Sequence, residues 1–90
     1  MAKRLPRLSA RFTRRLLSLP PKSRPAIVAA IRALTSDVLP GPGDVTAALP
    51  PIGSRWVRRV PGENLWVWFT YSETEVVMTH VTTSPPVPLD

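Results

Sequence analysis

The stretch SRWVRRVPGENLWVWFTYSETEVVMTHV (residues 54–81) carries all three tryptophans, the only tyrosine and the only histidine of a 90-residue chain. Its apolar pattern has a period of two. RWVRRV alternates, PGEN has turn composition, LWVWFTY is β-prone, SETE forms a second turn, and VVMTHVTT reads as a third strand. Short links between consecutive strands predict an antiparallel meander. Side chains alternate across a pleated strand, so Leu65, Val67, Phe69 and Tyr71 take one face while Trp66, Trp68 and Thr70 take the other. In the first strand Trp56, Arg58 and Val60 oppose Arg55, Val57 and Arg59. In the third, Val76, Met78, His80 and Thr82 oppose Val77, Thr79, Val81 and Thr83.

Upstream of residue 54 the period changes to 3.6. Ser9 is a natural N-cap for ARFTRRLLSL, in which Leu8, Phe12, Leu16 and Leu19 recur at helical spacing. Pro20 and Pro21 end that helix. Ser23 caps the next one, Pro25 sits in its first turn, and Ile27, Ala30, Ile31 and Leu34 form one apolar face. The short connection between them predicts a helical hairpin. Residues 2–8 fit a short edge strand, the only sheet position that tolerates Pro6. Residues 35–53 read as loop, with an extra helical turn over 45–49. The expectation is an α+β domain over residues 1–83: a helical hairpin packed on a three- or four-stranded antiparallel sheet, followed by an extended tail over 84–90.

Composition narrows the chemistry. Ninety residues with 43% hydrophobic content allow one small core. There is no cysteine and a single histidine, so thiolate and histidine metal sites are not expected, and neither is a cofactor. No apolar run approaches a membrane span, and a reducing, cytoplasmic setting suits the chain. Twelve Lys and Arg face six Asp and Glu, and the first 36 residues hold nine basic residues and no acidic one. Such a field attracts polyanions or an acidic protein partner. Two plainer origins compete: a solvated surface set by coding bias, and, for residues 1–21, the Arg-rich, acid-free composition of a transit peptide. Removing residues 1–21 would leave a chain hard to fold without staples, which argues for counting them in the domain.

The order of elements carries a resemblance. A basic short strand, a helix ending in LLSLP, a helix RPAIVAAIRAL, a loop and the meander RWVRRVPGENLWVWFTYSETEVVMTHV together resemble the RelE/ParE superfamily of small bacterial toxins from type II toxin–antitoxin systems, over roughly residues 3–82. The resemblance implies a toxin held by an acidic or amphipathic antitoxin. It implies one of two targets. RelE-like members cleave mRNA in the ribosomal A site without a metal, using basic residues and often a Tyr or His near the C-terminus. ParE-like members share the fold, lack those residues and inhibit DNA gyrase. A third outcome is a degenerate toxin fold that only binds a partner or nucleic acid.

Carried over position by position, Arg58 or Arg59 matches the basic residue of the first meander strand, His80 the acid–base group of the last strand, and Tyr71 is the only phenol. These four are the catalytic candidates of a metal-independent endoribonuclease, in which cations stabilise charge on phosphate. Arg55, with Arg11, Arg14 and Arg15 of the basic N-terminal half, would contact phosphate, and Trp66 and Trp68 would stack bases. For the tryptophans the competing reading is a filled hydrophobic face, for His80 a plain strand position, and for the arginines a solvated surface. One departure stands out. Trp66 occupies the place where nuclease members commonly carry arginine, and TTSPPVPLD lacks their terminal Arg, Tyr or Lys cluster.

Overall fold

The computed structural model describes residues 3–49 and 53–86. The chain forms two helices and five strands in the order β1 (Leu5–Leu8), α1 (Ala10–Ser18), α2 (Arg24–Ser36), β2 (Val45–Leu49), β3 (Gly53–Arg59), β4 (Trp66–Tyr71) and β5 (Glu75–Thr82), with a 3₁₀ turn at Pro21–Ser23 between the helices. The fold class is α+β, as the patterning predicts. The sheet is larger than predicted and not purely antiparallel. Its strand order is β1-β5-β4-β3-β2, and β1 runs parallel to β5.

The fifth strand is the segment expected to be loop with a turn of helix. Val45–Leu49 instead pairs antiparallel with β3, in register Val45 to Val57 and Ala47 to Arg55. The local preference of VTAAL is weak, and an exposed edge of β3 offers it a ladder of unpaired backbone groups. Tertiary pairing decides the outcome. The N-terminal strand is where Pro6 requires it, at the sheet's edge. It is shorter than the expected 2–8, beginning at Leu5 with Lys3 and Arg4 outside it; Ala2, and residues 87–90 of the expected tail, lie outside the described residues. Ser84–Pro86 form neither helix nor strand.

The helices form as their caps predict, with one difference. The Ser9 hydroxyl accepts from the Phe12 backbone N–H at 3.0 Å and donates to the Thr79 carbonyl at 2.9 Å, so one side chain starts α1 and ties it to β5. Ser23 holds the N-cap position of α2 but makes no capping bond, because the preceding 3₁₀ turn already leaves it helical. Both helices bury their apolar stripe on one face of the sheet. Phe12, Ile27, Leu34, Val67, Phe69, Val76 and Met78 are fully buried there, each large side chain contributing about 1.5–3 kcal/mol.

The strand parity predicted for β3 and β4 holds: Arg58 pairs with Val67 on the helix side, and Val57 pairs with Trp68 on the other. In β5 it fails beyond Met78. Phe69 faces Met78 while its neighbour Trp68 faces His80, so Thr79 is an extra residue, a β-bulge. Val76, Met78 and Val81 therefore share the core, and His80 and Thr82 turn to the opposite face beside Trp68 and Trp66. The Thr79 hydroxyl donates to the Trp68 carbonyl at 3.2 Å across the bulge.

Candidate functional site

Strand parity, and at His80 the bulge, divide the four catalytic candidates between the two faces. Arg58 and Tyr71 lie on the helix side, Arg59 and His80 on the other. They do not form one cluster.

Arg58 is clamped by two carboxylates. Its Nε and Nη2 donate to the Asp44 carboxylate at 2.6 and 2.8 Å, and its Nη1 to Asp37 at 2.7 Å. The Asp44 side chain is completely buried and also accepts from the Gly41 N–H at 2.7 Å. The bond to Asp44 raises the guanidinium pKa further, against the opposing effect of burial. A cation so neutralised anchors the 37–44 segment to the sheet, and its charge is already met by two carboxylates rather than left for a phosphate. A Cβ at Gly41 would lie 2.7 Å from Nη2, so a larger residue there would have to displace the clamped guanidinium.

Tyr71 stands in an aromatic group with Trp56 and Phe69, at centroid separations of 6.5 and 6.4 Å. Arg4 lies over its ring at 5.2 Å, and the Arg4 Nε donates to the Ser72 carbonyl at 2.6 Å. Neither Arg4 nor Trp56 was singled out by motif, although the basic N-terminus and strand parity place both. A cleft of about 430 Å³ at the ends of β3 and β4, lined by Thr46, Ser54, Arg55, Trp56, Thr70 and Tyr71, is where residues of both faces meet.

The face opposite the helices has a small core of its own. Ala47, Val57 and Trp68 are buried there, with Val45 and Trp66 half-buried against them. Trp68 is only 3% exposed, and its indole N–H donates to the Thr82 hydroxyl at 2.9 Å. A ring so covered has no face to offer a base, so Trp68 is a packing residue and any stacking falls to Trp66. Arg59 lies over the Trp66 ring at 5.9 Å.

His80 is half-buried on this face. Burial, and then the positive charges of Arg11 and Arg55, lower its pKa, so the imidazole is neutral at neutral pH. Arg11 lies in the first turn of α1 and Arg55 on β3; Arg11, Arg14 and Arg15 are exposed on α1. Of the predicted residues, Arg11, Arg55 and His80 form one electrostatic group. Nδ1 of His80 is 3.0 Å from the Thr79 hydroxyl. That hydroxyl gives its proton to the Trp68 carbonyl, which can only accept. Toward the imidazole it is therefore an acceptor, Nδ1 carries the ring proton, and Nε2 presents a lone pair.

Among the described residues, no three His, Asp or Glu side chains stand together as a metal site, and no helix is long and apolar enough to cross a membrane. No family model, no curated protein and no solved structure matches the chain.

Proposed function

We propose that the chain is the toxin of a type II toxin–antitoxin pair, of RelE/ParE type, and that it acts on mRNA at the ribosome through the sheet face opposite the helices. The observation that carries this reading is a half-buried His80 on that face, its pKa lowered by burial and by the positive charges of Arg11 and Arg55. Cleavage without a metal needs these groups. A base takes the proton of the ribose 2′-hydroxyl, the 2′-oxygen attacks the adjacent phosphorus, the bond to the 5′-oxygen breaks, and a proton is returned to that oxygen. His80 Nε2 is the base, and Arg11 and Arg55 stabilise charge on the phosphate oxygens. The order of strand, two helices and meander supports the family assignment. The excess of six positive charges supports an acidic antitoxin as partner and a cytoplasmic, polyanionic target.

The experiment is incubation with programmed ribosomes and mapping of mRNA ends. New 5′ ends within A-site codons are expected, and their loss in His80→Ala. Intact mRNA at saturating protein rules out the nuclease reading. A second reading has its own observation: Arg58 is neutralised by Asp37 and Asp44, and Trp66 stands where nuclease members commonly carry arginine. These favour a member that binds without cutting, either a ParE-like inhibitor of DNA gyrase or a binding module alone. Inhibited supercoiling with intact mRNA would establish the gyrase form.

A further inference from the structure

The ladder between β3 and β4 stops before either strand does. It runs from Arg59–Trp66 to Trp56–Phe69 and goes no further. Arg55 and Ser54 keep pairing outward with Ala47 and Ala48 of β2, and Thr70 and Tyr71 with Val77 and Val76 of β5. The sheet therefore splits, and the cleft of about 430 Å³ lies in the split. Trp56 and Tyr71 line it from the helix side, with Thr46 beside Trp56 in the sheet. Trp56 is half-buried and packs against the main core, yet still lines the cleft. Arg55 lines the other side. Its Nη1 donates to the Ser54 carbonyl at 2.8 Å and would lie 4.0 Å from a Cβ at Gly53, so the guanidinium sits at the start of β3. Arg55 has no carboxylate partner among the described residues, and its Nε is buried without an acceptor.

We infer that this split holds one nucleotide, its base on the ring of Trp56 and its phosphate on Arg55. The lining residues select that class of ligand. They offer an indole ring, a cation without a counter-ion and no carboxylate, a set that suits a planar ring carrying a negative charge. The cleft is also of the size of small-ligand pockets. Trp56 is the stacking surface, because Arg4 already lies over the Tyr71 ring at 5.2 Å. The two rings are 6.5 Å apart and tilted by 46°, so a base is not sandwiched between them; it lies on Trp56 with Tyr71 as a wall. Thr46, Ser54 and Thr70 supply hydroxyls, which both donate and accept, so the cleft should tolerate all four bases. Trp56 is on the sheet face opposite to Trp66, and the site involves no cleavage step. It therefore goes beyond the nuclease reading and shares only Arg55 with it. A free nucleotide and one nucleotide of a strand present the same ring and phosphate.

Titration of nitrogen-15-labelled protein with deoxyadenosine monophosphate tests this, because the three indole N–H groups report the three tryptophans separately. A deoxynucleotide has no 2′-oxygen to attack its phosphate, so the outcome is independent of whether the protein cuts mRNA. The Trp56 indole and Arg55 Nε signals should move together, with a Kd of about 1 mM, while the Trp68 indole stays fixed. Inorganic phosphate should move Arg55 and leave Trp56 unmoved. Deoxyadenosine should bind about tenfold more weakly than the nucleotide, and so should the nucleotide to Arg55→Gln, through loss of one charge-assisted contact. Trp56→Ala should cost about tenfold through loss of the stacked base, with partial rescue by Trp56→Phe. The four deoxynucleotides should agree within about threefold, since stacking tolerates any base. A tetramer of the same nucleotide distinguishes the sources: binding tighter by about tenfold with the same Trp56 shift marks a strand as the ligand, and equal binding marks a free nucleotide. A Trp56 signal unmoved at about ten times the expected Kd overturns the inference. So does a tetramer that moves the Trp66 indole and not that of Trp56.

Discussion

On the helix-covered face of the sheet, Arg58 is held by three bonds to two carboxylates; on the opposite face its neighbour Arg59 lies exposed over the ring of Trp66. Consecutive residues of the same type thus have unrelated roles, and strand parity alone separates them. The same division runs through β4. Phe69 closes the main core under the helices, while Trp68 closes a smaller one with Ala47 and Val57. One face is built for stability. The other couples a thin core to a cationic rim around His80.

Breaking the stable face should have the largest effect. Phe69 is fully buried, and Phe69→Ala removes a ring that the surrounding core cannot replace. A loss of about 3–5 kcal/mol is expected, read as a fall in the urea midpoint. Next is Arg58→Ala, which leaves the completely buried Asp44 carboxylate without its main partner. About 3 kcal/mol should be lost, since a buried charge deprived of its partner is costly. If Arg58 were instead a surface residue reserved for phosphate, the urea midpoint would barely move.

The two faces should also differ in their response to acid. His80 titrates below the ordinary imidazole value because of burial, with Arg11 of α1 and Arg55 of β3 as the charges facing it. Its folded pKa is lower than its unfolded one, so the unfolded chain binds more protons between the two values. Stability is therefore fully present above the ordinary value of about 6.5 and declines as pH falls through the lowered folded value. Urea midpoints measured between about pH 8 and pH 5 should fall more for the wild type than for His80→Phe. An identical fall in both would show that the imidazole is not depressed. A smaller effect is expected at the link between the helices and the bulge: Ser9→Ala loses the cap of α1 and the bond to Thr79, for about 1 kcal/mol in the same measurement.

How far the sequence reveals this division depends on the range of the interactions involved. The Ser9 cap, the edge placement of Pro6, the apolar stripe of α2 and the parity of β3 and β4 are local and legible. The fate of Arg58 is not, because its carboxylate partners lie 14 and 21 residues away in a Pro- and Gly-rich segment that reads as loop. Trp68 is hidden by the same omission: Ala47, which packs against it, belongs to the strand that the sequence does not announce. The bulge at Thr79 is a property of the β4–β5 ladder and leaves no mark in the alternation of VVMTHVTT. Yet it decides the candidate site. Strict alternation puts His80 among core positions, and the bulge turns it to the arginines.

The smallest stability effect should come from Arg59, and it sharpens the contrast with Arg58 most directly. Arg59 donates only to the Glu63 carbonyl, at 3.3 Å, and rests on Trp66. Both contacts are at an exposed side chain, so Arg59→Gln should change stability by less than about 0.5 kcal/mol. Its charge, unlike that of Arg58, is not cancelled by a carboxylate among the described residues. If the face opposite the helices meets RNA, removing that charge should weaken binding to all sequences alike and lower the salt-dependence slope by about one. Arg58→Ala, compared at a temperature where it is still folded, should leave the slope unchanged because its charge is already spent internally. Equal slopes for wild type and Arg59→Gln would place the RNA contact elsewhere on the molecule, and a reduced slope in Arg58→Ala would mean that the carboxylate clamp opens when polyanion binds.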